Sequence, residues 1–318
     1  MRILITGAGG YIGSALLTEL KKHNYWLRAI SRSDKPSLQI ADEFIVQTLN
    51  PSTHFEPLLD GIETIIHLAD GFNAYEHLPI STDPAKIPEA AQRLKATIAL
   101  ANVASKQGTR FIYLSTIKTM CGTYANHILC ELSPNQPTSL YGQLKLKAEQ
   151  AIVKAAKEHG GNTIILRFPI TFGVQPKGNM EKLLRLADTP LPLPFRACNN
   201  RRSLISATSL IDAIMHTVKS RHQGRNLFLV QDDALSTHQI ISLVRCGLNR
   251  PQRLFALPES IFSISEKIPA IGPKVKRLTR SLELNDTHFR QTYQWHPKQE
   301  LSDTLIKLAK EWKDNRPA

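Results

Sequence analysis

The first thirteen residues narrow the possible folds more than any other part of the chain. Arg2–Thr6 is a short apolar run that breaks into Gly7-Ala8-Gly9-Gly10-Tyr11-Ile12-Gly13, and residues 11–23 continue with amphipathic spacing. Glycines at 7, 10 and 13 give G-x-x-G-x-x-G between a strand and a helix. Gly7 permits a tight turn, Gly10 lets backbone N–H groups approach a pyrophosphate, and Gly13 lets the helix lie close on the strand. The helix N-terminus then turns its partial positive charge toward the anion. This predicts a dinucleotide site, with a purely structural turn as the plainer alternative.

The pattern continues through the first half. Short apolar runs at 27–31, 44–47, 64–68, 111–115 and 163–167 read as buried strands, and 88–107 and 140–159 read as helices. Strands alternating with helices predict a parallel sheet covered on both faces. Right-handed crossovers make it a doubly wound α/β sheet of Rossmann type. After Phe168 the texture changes: Pro190, Pro192 and Pro194 cluster, and 208–220 and 237–248 read as shorter helices. The expected division is a nucleotide-binding domain over 1–168, sharing some later segments, and a smaller substrate-binding lobe over 169–318.

Composition bounds the class. With 318 residues, 42% hydrophobic and 21% charged, the chain is neither disordered nor a disulfide scaffold. No apolar stretch approaches the roughly 20 residues needed to span a bilayer, and the N-terminus lacks the pattern of a signal peptide. A cytoplasmic protein is expected. The net charge of +13 attracts polyanions without choosing among them. Nucleic acid has only that charge in its favour, since no aromatic–basic interleaving is present. The four cysteines, at 121, 130, 198 and 246, form no CxxC pair, so reduced thiols and no metal site are expected.

Three further features carry chemistry. The second strand ends in Ser31-Arg32-Ser33, where an NAD binder usually places a carboxylate. Arg32 can pair with a 2′-phosphate, so NADP is expected, with NAD as the alternative. Tyr141-Gly-Gln-Leu-Lys145 puts a phenol and an ammonium on one helix face. Free tyrosine ionises near ~10, and a neighbouring cation favours the phenolate needed for acid–base work. The strand over 111–115 runs into Ser115-Thr116, two hydroxyls that alternation would turn to opposite sides. Thr116 is preferred as the partner of Tyr141, and Ser115 stays open. His67, at another strand end, reads as a structural or cofactor-wall histidine.

The motifs TGAGGYIG (6–13), HLA (67–69), YLST (113–116), YGQLK (141–145) and LRFPITFG (166–173) resemble those of the extended short-chain dehydrogenase/reductases, in their nucleotide-sugar epimerase/dehydratase branch. Later segments, PLPLPF (190–195), NRRSLIS (200–206), LIDAI (210–214), RSLELND (280–286) and YQWHPKQEL (293–301), are similar to a bacterial subgroup. That subgroup makes surface-polysaccharide sugars and includes 4-keto-6-deoxy-N-acetylhexosamine reductases and UDP-glucose 4-epimerase-like proteins. The resemblance implies that Gly7, Gly10, Tyr11, Ile12, Gly13, Leu68, Ala69 and Ser115 face the cofactor. It implies that Thr116, Tyr141 and Lys145 are catalytic, with the last two also touching the cofactor. Asn179, Arg202 and Arg280, together with Thr116, are implied to contact a nucleotide-diphosphate sugar, and a homodimer through the helices at 88–107 and 140–159 is implied as well. The chain departs from the pattern at Ile170 and Phe172, where the family often has Asn and Tyr.

The implied reaction is NAD(P)-dependent chemistry at C4 of a UDP-linked N-acetylhexosamine. Arg32 favours reduction of a 4-keto sugar, and a 4-epimerase that retains NAD is the alternative. Dehydration is disfavoured because Ile117-Lys118 stands where a dehydratase needs an Asp-Glu pair. A non-catalytic NADP-binding sensor or assembly factor is disfavoured because both Tyr141 and Lys145 are retained. Finally, a basic stretch over 267–280 adjoins apolar residues over 261–271. A lobe helix with a solvated basic edge is preferred there over contact with an acidic membrane surface.

Overall fold

In a computed structural model of the chain, the described residues are 1–173, 176, 178–220, 222 and 226–315. The first part runs β1 (Arg2–Thr6), α1 (Tyr11–Lys22), β2 (Trp26–Ser31), β3 (Glu43–Val46), α2 (Phe55–Leu58), β4 (Thr64–His67), α3 (Pro88–Lys106), β5 (Arg110–Thr116), α4 (Leu140–His159) and β6 (Thr163–Phe168). The strands expected from the sequence are present with ends moved by a residue or so. Gln47 and Leu68, for example, fall just outside their strands.

The chain divides into two compact units. The first comprises Met1–Gly122, Ser133–Arg167 and Ala213–Leu229, and the second comprises Thr123–Leu132, Phe168–Asp212 and the segment from Val230 onward. The division expected after 168, with later segments shared by the first domain, does not include the excursion of Thr123–Leu132 into the second unit. That segment is held there by distant pairing: Ala125 N–H donates to Ser281 O at 2.9 Å and Leu129 N–H to Glu283 O at 2.9 Å.

The first unit is built on a sheet in the order β3-β2-β1-β4-β5-β6-β9, with β9 at Leu227–Leu229. The ladders of β1 with β2 and β4, of β2 with β3, of β4 with β5 and of β6 with β9 are parallel. Chain direction across the sheet reverses at β1, which lies between β2 and β4, and ligands of such sheets bind beyond the carboxyl ends of the strands at that switch. Register aligns Ile30, Thr6, His67 and Tyr113 in one row. The glycine turn, Ala69-Asp70 and Ser115-Thr116 all leave the sheet just beyond that row. Leu4, Ile65, Phe111, Leu100 and Leu144 form part of the core beneath it. Helix α4 is started by Ser139, whose hydroxyl accepts from Gly142 N–H at 3.2 Å, and it is ended by Gly160 in the left-handed region, φ +69°.

The second unit holds β7 (Ile170–Phe172), α5 (Asn179–Ala187), β8 (Arg202–Ser206), β10 (Asp233–Leu235), α7 (Thr237–Gly247), α8 (Glu259–Ser265), α9 (Gly272–Thr279), α10 (Thr287–Tyr293) and α11 (Leu301–Asp314). Helix α6 (Ala207–Lys219) begins in this unit and ends in the first. Strands β10, β8 and β7 make a small sheet. Leu184, Ile241, Val244 and Leu305 are in the core it shares with α5, α7 and α11. Among the described residues no helix is long and apolar enough to cross a membrane, and no cluster of His, Cys, Asp and Glu could hold a metal ion.

Candidate active site

The turn after β1 is shaped as a cradle. Gly7 lies at φ +74°, its N–H donates to Ile30 O at 2.9 Å, and Gly10 N–H donates back to Gly7 O at 2.9 Å. Helix α1 starts at Tyr11 with no side chain capping it, so its first N–H groups stay available to an anion. A Cβ on Gly13 would stand 2.4 Å from Gly7 O and 2.8 Å from Ala8 Cα. Only glycine lets α1 approach the turn this closely. The cradle fits the pyrophosphate of a dinucleotide. Tyr11 is exposed and Ile12 half-buried at its mouth. Leu68 and Ala69 are half-buried, and their backbone lies about 3.0 Å from where a Gly7 Cβ would point.

Arg32 is exposed just beyond the carboxyl end of β2, and Ser31 Oγ donates to Ser33 O at 2.9 Å. A second cation, Lys35, was not singled out from the sequence. Its Nζ donates to Gly9 O at 2.6 Å, which brings an ammonium to the glycine turn itself. Arg93 and, more remotely, Arg32 hold the Glu89 carboxyl below its ordinary range.

The end of β5 separates its two hydroxyls. Ser115 points into the protein and hydrogen-bonds Glu149, whose carboxylate also takes a forked pair of bonds from Arg167. Thr116 points the other way, toward Tyr141, whose ionised form it favours. It also accepts from Lys118 N–H at 3.3 Å. The meeting of Thr116 and Tyr141 depends on Gly142, because a Cβ there would stand 2.2 Å from the Lys118 carbonyl oxygen. Burial and then the Asp70 charge push the Tyr141 phenol well above its ordinary range, and Thr116 acts in the opposite sense.

Lys145 is buried one turn along α4. Its ammonium donates to Leu114 O at 2.6 Å, lies 2.5 Å from Asp70 Oδ2 and stands 4.7 Å above the Tyr113 ring. Tyr113 O–H donates to the same Asp70 oxygen at 2.7 Å. Burial alone would raise the Asp70 carboxyl, but Lys145 and Tyr113 together hold it below its ordinary range. His67 is hydrogen-bonded to Thr6 at 2.7 Å and to Thr97 at 3.1 Å, and burial lowers its pKa to about 4. It is a neutral ring fixed between two strands and α3. Asp70 and Gly142 escaped the sequence reading, although one directly follows HLA and the other lies between Tyr141 and Lys145.

The other candidate residues lie in the second unit. Asn179 opens α5, and its Oδ1 accepts from Arg277 Nη1 at 2.8 Å. Arg202 Nη1 donates to Thr123 O at 2.8 Å and to Arg280 O at 3.1 Å. Arg280 is gripped by Glu266 through bonds of 2.8 and 2.9 Å at a cleft of about 640 Å³ also lined by His127 and Asn200. A phosphate reaching Arg280 would have to displace that carboxylate.

The profile of the NAD dependent epimerase/dehydratase family matches residues 3–229. A UDP-glucose 4-epimerase of Vibrio cholerae is 29% identical over 320 residues, covering 96% of this chain and 94% of that protein. Among solved structures, the UDP-glucose 4-epimerase of Thermotoga maritima with UDP-glucose superimposes with a TM-score of 0.74 at 21% identity, covering 99% of both chains. The UDP-glucuronic acid 4-epimerase of Bacillus cereus in complex with NAD gives a TM-score of 0.73 at 19% identity, covering 99% of this chain and 100% of that one. At such identities the two structural likenesses establish the fold.

Proposed function

The chain belongs to the NAD dependent epimerase/dehydratase family, and on that premise we propose that it transfers a hydride and a proton at C4 of a UDP-linked sugar, acting as an NADPH-dependent reductase of a 4-keto N-acetylhexosamine. The observation that carries this reading is the approach of Thr116 to Tyr141 at the carboxyl edge of the sheet, close enough to favour the ionised phenol, with Lys145 one helical turn beyond.

A nicotinamide cofactor, when bound, supplies the hydride at C4, and the chain's own residues handle the proton. Tyr141 donates its hydroxyl proton to the oxygen on C4 as the carbonyl becomes an alcohol, and the negative charge passes to the phenol oxygen. Thr116 donates a hydrogen bond to the same sugar oxygen and orients it toward Tyr141. The Lys145 ammonium stabilises the phenolate left behind, and Asp70 limits that stabilisation, so Tyr141 returns readily to its protonated form. The glycine cradle and the start of α1 would bind the pyrophosphate, and Arg32 and Lys35 are two cations able to pair with a 2′-phosphate.

A raised Tyr141 pKa supports the reductive direction, because a neutral phenol is the proton donor. The second reading, 4-epimerisation with retained NAD, draws its support from the near full-length likeness to the Vibrio cholerae epimerase. The two separate by experiment. Denaturing the purified protein and identifying any nucleotide released, then following NADPH consumption with a UDP-4-keto-6-deoxy-N-acetylhexosamine, supports reduction if NADPH is consumed. Tightly held NAD with interconversion of UDP-glucose and UDP-galactose establishes epimerisation instead.

A further inference from the structure

Apart from Glu266 and Arg277, which hold Arg280 and Asn179, the segment over 261–277 has no part in the site described above, and its isoleucines are turned outward. Ile261, Ile264, Ile268 and Ile271 are 42%, 64%, 45% and 42% exposed. Their spacing of three, four and three residues places them along one edge. Ile261 and Ile264 share a face of α8, and Ile268 N–H donates to Ser265 O and Ile271 N–H to Ile268 O, each at 3.2 Å, which carries the edge on through tight turns. Pro269 and Ala270 between them are exposed as well. A Cβ on Gly272 would stand 2.2 Å from Glu266 O, so the segment doubles back tightly and presents Ile268-Pro269-Ala270-Ile271 as its tip.

Single exposed apolar residues are ordinary on a protein surface, whereas a continuous run marks a contact. The charges around the run show what it contacts. Exposed Lys267 and Lys274 bracket the tip. Glu266, the one acid between 261 and 277, is turned onto Arg280 and Thr279. A second copy of the chain docked about a two-fold axis would set like charges at these flanks against each other. A bilayer carrying anionic headgroups would instead accept the isoleucines at the acyl boundary and pair with both lysines.

We propose that the tip over 267–274 and the exposed edge of α8 form a membrane-surface contact that selects anionic lipid. It holds whichever reaction the first unit carries out, since it uses no residue of the acid–base site.

The test is sedimentation of the full chain with vesicles of phosphatidylcholine alone or mixed with phosphatidylglycerol, at low and high salt. The chain is expected to sediment with the mixed vesicles, to do so less at high salt, and to ignore phosphatidylcholine alone. Lys267→Glu/Lys274→Glu is expected to weaken the partition at least about tenfold, each lysine near the surface being worth roughly a fivefold change. Ile264→Ser/Ile268→Ser is expected to abolish it while thermal unfolding stays unchanged. Three results overturn the proposal. One is no sedimentation with mixed vesicles. Another is undiminished binding by the isoleucine variant, which would reduce the effect to net charge. The third is a concentration-dependent dimer that the same variant dissolves, which would make a second copy the occupant.

Discussion

The Lys145 ammonium stands 2.5 Å from Asp70 Oδ2, so the amine that follows Tyr141 by one helical turn is already paired with a buried carboxylate. The Asp70 charge also raises the pKa of the Tyr141 phenol. Replacing Asp70 with asparagine removes a negative charge and lets the phenol ionise at lower pH. The alkaline fall-off of a reductive rate is expected to move to lower pH in Asp70→Asn. An ultraviolet titration of the phenolate, made without substrate and in a Tyr113→Phe background, is expected to show the same shift. An unmoved titration contradicts the coupling.

His67 makes stability depend on pH. The folded chain holds its pKa at about 4, against 6.5 for an ordinary histidine. Between those values the unfolded chain binds a proton that the folded chain refuses, so stability falls as pH drops through the window and this contribution levels off below about 4. The loss amounts to about 3 kcal/mol. Urea unfolding at a series of pH values checks it, and a flat profile between neutrality and pH about 4 contradicts it.

Gly142→Ala tests how α4 is seated. The added methyl would meet the Lys118 carbonyl oxygen at 2.2 Å, backbone against backbone, and neither side can rotate away. A loss of about 1–3 kcal/mol is expected, with Tyr141 displaced from Thr116 and turnover lowered. Unfolding curves read the first effect and steady-state kinetics the second.

Ser115→Ala and Thr116→Ala are expected to behave oppositely. Ser115 serves the buried Glu149–Arg167 pair, so its loss leaves a carboxylate short of a donor and lowers stability by about 1–3 kcal/mol. Its turnover is expected to remain. Thr116 touches the phenol, so Thr116→Ala is expected to unfold normally and lose roughly a hundredfold in kcat. Comparable kinetics for both variants contradict the division of roles.

Much of this was legible in the residues because it is local. The strand–glycine–helix start, the extent of α4 and the alternation at Ser115-Thr116 follow from period and pleat, and the structure differs mainly by a residue at element ends. Pairings between distant residues were not legible. Asp70 meets Lys145 across 75 residues of sequence, and Leu129 is claimed by the second unit through its bridge to Leu284. No periodicity marks either contact. For the basic stretch over 267–280 and its apolar neighbours the residues alone favour a lobe helix with a solvated edge over a membrane contact, and the exposure of the isoleucines tips the reading to the contact.

In the proposed mechanism the Tyr141 hydroxyl moves the proton at the sugar oxygen. Tyr141→Phe removes that oxygen and leaves the glycine cradle untouched. NADPH consumption with a UDP-4-keto sugar and interconversion of UDP-hexoses, measured alongside binding of the dinucleotide, give the direct reading. A fall of roughly 10²–10⁴ in whichever activity the parent shows, with binding retained, is expected; an unchanged rate contradicts the account.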